Sequence, residues 1–168
     1  MEFITYKLFI NKNHHGGLPL HSTTTCVLQV VDEARSSLEK KHHTAIMAID
    51  LSSAYDLVDH ALLVQKCRLL NIGPLSLLFI ENFLKNRTQF VENGGTRSEE
   101  LKSGEEGVVQ GGPSSGELFV IFLNDLPLSC LPLKKSQLAN TQSNMFVDDH
   151  TSMISGRSVP ELTKNIQA

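Results

Sequence analysis

From Ser22 to Lys41 apolar residues recur at steps of three and four (Val27, Val30, Val31, Ala34, Leu38), the spacing of one helix face, and Ser22 or Thr23 stands ready to cap its start. The pattern then changes. Thr44 to Ile49 is a short apolar run without glycine or proline, which predicts a buried strand stopping at Asp50. Helical spacing returns in Leu57, Ala61, Val64, Cys67 and Leu70 and is expected to close at Asn71-Ile72-Gly73, with Gly73 a candidate stop. Pro74 suits the first turn of another helix, running to about Asn86.

Beyond that point turn residues organise the chain. Thr88 to Glu92, Asn93-Gly94-Gly95 and a polar stretch to Glu106 read as a hairpin, because Asn-Gly supplies the positive φ of a tight turn. Gly111-Gly112-Pro113 breaks the chain before the apolar run Leu118 to Leu123, whose period leaves helix and strand both open. Asn144 to Val147 and Thr151 to Ile154 flank Asp148-Asp149-His150, a second hairpin with acids at its tip, and a helix starts near Ser158. Residues Met1 to Gly17, with Asn-Lys-Asn-His-His-Gly-Gly, read as a loop or frayed leader. The expected organisation is a leader over 1–15 and one domain over 16–168.

Composition narrows the class. The chain has 168 residues, 40% hydrophobic and 20% charged, which suits one globular domain. Its longest apolar stretches fall far short of the roughly 18 to 20 residues that cross a bilayer, so no membrane partner is expected. The start lacks the features of a secretory signal, which places the expected site of action inside the cell, in nucleus or cytoplasm. Cys26, Cys67 and Cys130 are scattered and odd in number, which predicts buried free thiols. The histidine pairs His14-His15 and His42-His43, and His60, lack metal-ligand spacing and are expected at the surface or at caps. A net charge of −3 is a poor signature for gripping phosphates.

The acids point elsewhere. Two strands ending in carboxylates, Asp50 in one and Asp148-Asp149 in the other, are what two-metal phosphoryl transfer requires: carboxylates bridge two ions about 3.5 to 4 Å apart that activate a hydroxyl and neutralise a leaving pyrophosphate. Adjacent carboxylates repel unless a cation lies between them. Taken singly, an Asp-Asp pair is an ordinary solvated turn.

Three blocks change those odds. Ala48-Ile-Asp-Leu-Ser-Ser-Ala-Tyr-Asp56 with Leu57-Val-Asp-His60, then Gly107-Val-Val-Gln-Gly111 with Glu117-Leu-Phe-Val-Ile-Phe-Leu-Asn-Asp-Leu-Pro127, then Phe146-Val-Asp-Asp149, resemble in order the catalytic blocks of reverse transcriptases of non-LTR retrotransposons. Asn82-Phe-Leu-Lys-Asn-Arg87 also fits, and the resemblance covers roughly Gly16 to Ala168. It implies an α+β polymerase palm, an antiparallel sheet with helices on one face, with part of the fingers and no thumb. Asp50 and Asp148 are then ligands of two Mg²⁺ ions, for which Mn²⁺ can substitute, with the Leu51 carbonyl nearby and Asp149 in support. Ser53 and Ala54 lie along the triphosphate through backbone N–H groups, Tyr55 is the steric gate against a ribose 2′ hydroxyl, and Gln110 and Gly111 contact the nascent base pair and template. The implied partners are an RNA template, a DNA primer and deoxynucleoside triphosphates.

The chain departs from the pattern at several positions. Val109 stands where proline is usual, Gly112 where serine is usual, and Gly17 and Leu18 where the family carries an aromatic residue and an arginine; His21 is a partial replacement for a second basic residue. With upstream fingers and thumb expected to be missing, the isolated chain is expected to be weakly active or inactive. The alternative is a catalytically silent remnant that folds and binds nucleic acid or a partner without chemistry.

Overall fold

The computed structural model describes residues 10–126 and 141–167. The described residues divide into two compact units, one from 10–52 with 123–126 and 141–167, the other from 53–122. Among the described residues no helix is long and apolar enough to cross a membrane.

In the first unit, helix α1 (Thr23–Glu39) starts in a reciprocal box: Ser22 Oγ accepts from the Thr25 N–H at 3.2 Å, and Thr25 Oγ1 accepts from the Ser22 N–H at 2.8 Å. Such a cap is worth about 1 kcal/mol. The helix closes through Lys41 at φ 57, where the Lys41 N–H donates to the Leu38 carbonyl and the His42 N–H to the Ser37 carbonyl. Strand β1 (His43–Ile49) follows, at the expected place.

The face that α1 turns inward differs from the expected one. Val27 is 60% exposed and Leu38 68%, whereas Ser37 is buried. The reason is that the polar positions have partners: Ser37 Oγ bonds Thr44 Oγ1, and His15 bonds both Thr25 Oγ1 and Gln29 Oε1. Strand β1 is likewise more open than a buried strand, with Ile46 56% exposed, because it is the outermost strand of its sheet.

Two further strands that section 123–167 contributes, β6 (Thr141–Phe146) and β7 (Asp149–Gly156), complete an antiparallel sheet of order β1-β7-β6. Helix α5 (Val159–Ile166), capped by Ser158, packs on β7 and β1. The middle of this sheet is polar: Ser143, Asn144, His150 and Ser152 are buried, and His150 Nε2 lies 2.6 Å from Ser143 Oγ. Residues 10–15 are held rather than frayed. Ile10, His14 and His15 are buried, and His14 bridges to Met145.

The buried His14 and His15 overturn the surface expectation for that pair. Burial is the main cause that pushes His14 down to about 4, against its ordinary 6.5. The folded chain therefore resists a proton that the unfolded chain accepts, so stability is full above about pH 6.5 and falls as pH drops toward 4. The shift corresponds to roughly 3 kcal/mol at most. Urea midpoints at pH 7 and pH 4.5 should show this loss, and His14→Phe should flatten the slope; an unchanged slope would remove His14 as its source.

The second unit opens with helix α2 (His60–Leu69), capped by Asp59, whose Oδ1 accepts from the Leu62 N–H at 2.7 Å. It closes within the expected segment Asn71-Ile72-Gly73, at Asn71 rather than at Gly73. Asn71 takes the left-handed position at φ 53, with the Asn71 N–H on the Arg68 carbonyl and the Ile72 N–H on the Cys67 carbonyl. Gly73 is instead the N-cap of α3 (Pro74–Leu84), with Pro74 in its first turn. Strands β2 (Thr88–Gln89) and β5 (Leu101–Lys102) pair, as do β3 (Glu92–Asn93) and β4 (Thr96–Arg97) around Gly94-Gly95, both at positive φ. The tight turn is thus Gly94-Gly95, one residue later than Asn93-Gly94.

The open assignment at Leu118 to Leu123 resolves as helix α4 (Ser115–Phe122). Val58, Leu63, Cys67, Ile80, Leu84, Val108, Leu118 and Phe119 form the apolar core of this unit. Burial pushes the Cys67 thiol up to about 11, so it is a packed, unreactive group. Cys26 is half-buried, and Cys130 lies outside the described residues.

Candidate active site

Strand register decides where the acids go. β1 pairs with β7 through Ile49↔His150, and β6 pairs with β7 through Phe146↔Asp149. Asp50 therefore lies one residue past the last β1–β7 pair, on the side where Asp149 begins β7. Asp148 occupies the two-residue turn Val147-Asp148 between β6 and β7. Asp50 and the adjacent pair Asp148-Asp149, distant from it in sequence, thus share one end of one sheet, with Leu51 next to Asp50 in the chain.

This end is open to solvent: Asp50 and Asp149 are exposed and Asp148 is half-buried. Among the described residues no ion pair engages any of the three. Nor do the described residues gather three or more His, Cys, Asp or Glu side chains closely enough to hold an ion; the expected donors are two carboxylates, Asp50 and Asp148, and the Leu51 carbonyl. Cys26 on α1 is a neighbour that the sequence did not indicate. Its thiol is pushed up by burial and then by the Asp149 charge.

The other expected residues lie in the second unit. Ser53 takes φ 53 and its carbonyl accepts from the N–H groups of Asp56 and Leu57, which closes a turn carrying Ala54 and Tyr55. The Tyr55 carbonyl accepts from the Val108 N–H at 2.8 Å, and the Val58 carbonyl from the Gly107 N–H at 2.8 Å. His60 Nε2 bonds the Gly107 carbonyl at 2.8 Å, so the histidine expected at a surface or cap fastens this crossing. Gly107, at φ 89, leaves room for the Asp56 carbonyl, which a Cβ would meet at 3.1 Å. The Tyr55 ring stacks on Phe119 of α4, centroids 4.1 Å apart and planes 12° from parallel. The sequence offered Phe119 only as one member of an apolar run.

Val108 leads into the turn Val109-Gln110-Gly111-Gly112, closed by the Gly112 N–H on the Val109 carbonyl at 3.2 Å. Gly111 at φ 79 fills the third position, where positive φ is required. Gln110 is exposed at the corner, and among the described residues, chain neighbours aside, nothing lies within 4 Å of a Cβ placed on Gly111. Two departures have local reasons. A Cβ on Gly112 would lie 2.5 Å from Ser115 Oγ, so serine there would displace its neighbour. Gly17 sits at φ 68, a conformation that an aromatic residue adopts at a cost.

Comparison with known proteins identifies the family and the fold. The sequence profile of the family described as reverse transcriptase (RNA-dependent DNA polymerase) matches residues 5–168. The RNA-directed DNA polymerase from mobile element jockey of Drosophila melanogaster is 26% identical over 147 residues, covering 88% of this chain and 16% of that protein. Its namesake from Drosophila funebris is 34% identical over 107 residues, 64% of this chain and 12% of that protein. The chain thus spans no more than about a sixth of the curated relatives it matches. Among solved structures, apo telomerase from Candida tropicalis, truncated from its C-terminal domain, superposes with TM-score 0.69 at 12% identity, over 98% of this chain and 34% of that one. Candida tropicalis telomerase in complex with a TWJ fragment of telomeric RNA gives 0.66 at 13% identity, over 92% and 27%. At such identities the likeness is one of fold.

Proposed function

Because the chain belongs to the reverse transcriptase family, in its non-LTR retrotransposon branch, we propose that its acidic sheet end is the nucleotidyl-transfer centre of an RNA-directed DNA polymerase. The observation that carries this reading is the register that sets Asp50 and Asp149 at one end of the sheet with Asp148 in the adjoining turn.

Reverse transcriptases use divalent metal ions, and the donor set here suits them. Asp50, Asp148 and the Leu51 carbonyl are hard oxygen donors, the kind that Mg²⁺ and Mn²⁺ prefer. Two such ions, when bound, would activate the primer 3′ hydroxyl and neutralise the departing pyrophosphate. Asp148 and Asp50 hold that charge, and Asp149 adds negative potential beside them. Ser53 and Ala54 offer backbone N–H groups to the triphosphate of a deoxynucleotide. Tyr55, braced by Phe119, presents a rigid ring that excludes a 2′ hydroxyl. Gln110, exposed at its turn, and Gly111, with open space beside it, allow a base pair to approach the backbone. An RNA template and DNA primer are the corresponding partners.

A second reading is a silent remnant, favoured by Val109 and Gly112 in the template block. Primer extension on an RNA template with Mg²⁺ separates the two, run on this chain and on the natural polypeptide that carries it. Extension products that vanish in Asp50→Asn support the polymerase. Nucleic-acid binding without product from either protein would establish the remnant.

A further inference from the structure

Val147 opens the two-residue turn between β6 and β7 at φ 58. That left-handed conformation is a costly one for a β-branched residue. Positive φ at the first turn position alone is the sign pattern of a type II′ hairpin, where glycine is the usual occupant. Strain of this kind persists only where the surroundings over-determine it.

Those surroundings are specific. A Cβ built on Gly16 would overlap the Val147 nitrogen and lie 2.6 Å from its Cγ2 and 2.9 Å from its Cα. Gly16 is not among the glycines at positive φ, so close approach rather than backbone freedom is what demands glycine. The strap that carries it is anchored on β6: the His15 N–H donates to the Met145 carbonyl at 2.7 Å, and the Met145 N–H donates to the Asn13 carbonyl at 2.8 Å. The strap thus presses on the residue immediately before Asp148.

We infer that Gly16 and Val147 are a positioning pair, which holds the acidic turn in one strained conformation and so fixes the direction of the Asp148 carboxylate. The inference rests on the proposed role of Asp148 as a metal ligand. Neither residue touches substrate; both act through Asp148.

Mn²⁺ titration of the 168-residue chain, followed by electron paramagnetic resonance, tests the pair together with amide spectra of the metal-free chain. Val147→Gly removes the strained φ and frees the turn. It is expected to leave the thermal midpoint equal or higher while weakening Mn²⁺ binding about tenfold, a split that a merely structural role would not produce. Gly16→Ala should weaken binding similarly and move the Val147 and Asp148 amide resonances. Mn²⁺ affinity within about twofold of the parent in Val147→Gly would overturn the pair, whether or not Gly16→Ala folds. If Asp148→Asn leaves parental Mn²⁺ binding unchanged, the metal reading falls and the amide spectra decide. Displaced turn resonances in Gly16→Ala, with a newly mobile turn in Val147→Gly, then uphold the pair, and unmoved resonances sink it.

Discussion

On the proposed reading, Asp148→Asn should lower templated DNA synthesis at least about 100-fold, the scale seen when one charge-stabilising group leaves a reacting centre. The fold should hardly notice. Asp148 lies in a turn, half-buried, with no ion pair among the described residues, and asparagine keeps its shape. Losing one of three like charges at the sheet end relieves repulsion, so the thermal midpoint should stay or rise. Primer extension beside thermal melting checks both halves. Full activity in the variant would remove Asp148 from the chemistry, and a collapse of the midpoint would make its role structural.

Tyr55→Ala and Tyr55→Phe should separate sugar choice from ring packing. Phenylalanine keeps the ring that stacks on Phe119 at 4.1 Å and should keep discrimination against ribonucleotides. Alanine opens the space and should raise ribonucleotide incorporation relative to deoxynucleotide by roughly 10- to 200-fold, the worth of a small steric difference in a pocket. It also sacrifices the aromatic pair, about 0.5 to 1.5 kcal/mol beyond burial, so the variant should melt earlier. Single-nucleotide incorporation with both sugars is the measurement. Equal discrimination in Tyr55→Ala would leave Tyr55 as packing alone.

What the sequence disclosed followed the strength of local signals. Ser22, Asp50 and Ser158 mark element ends that the structure keeps, since caps and strand ends depend on neighbours in the chain. The three acids were legible because their blocks carry side-chain chemistry at fixed spacing. The inward face of α1 was not, because Ser37, Gln29 and Thr25 find partners in Thr44 and His15, which the helix pattern cannot anticipate. His14 failed for the same reason, since its burial comes from pairing with β6 far along the chain. Gly16 carried no signal of its own: two adjacent glycines read as loop, and only the turn at Val147 shows which of them is needed for space.

The outer edge of β1 has a practical consequence. Among the described residues nothing pairs with it, its apolar side chains Ile46, Met47 and Ile49 are exposed, and no lysine, proline or bulge interrupts His43–Ile49. Such a seam recruits backbone from any neighbour in solution. With a net charge of only −3 to keep molecules apart, colloidal behaviour will be governed by this strand, and turbidity should climb with protein concentration. A lysine in place of Ile46 should keep the preparation clear by charging the seam, without touching the acidic end of the sheet.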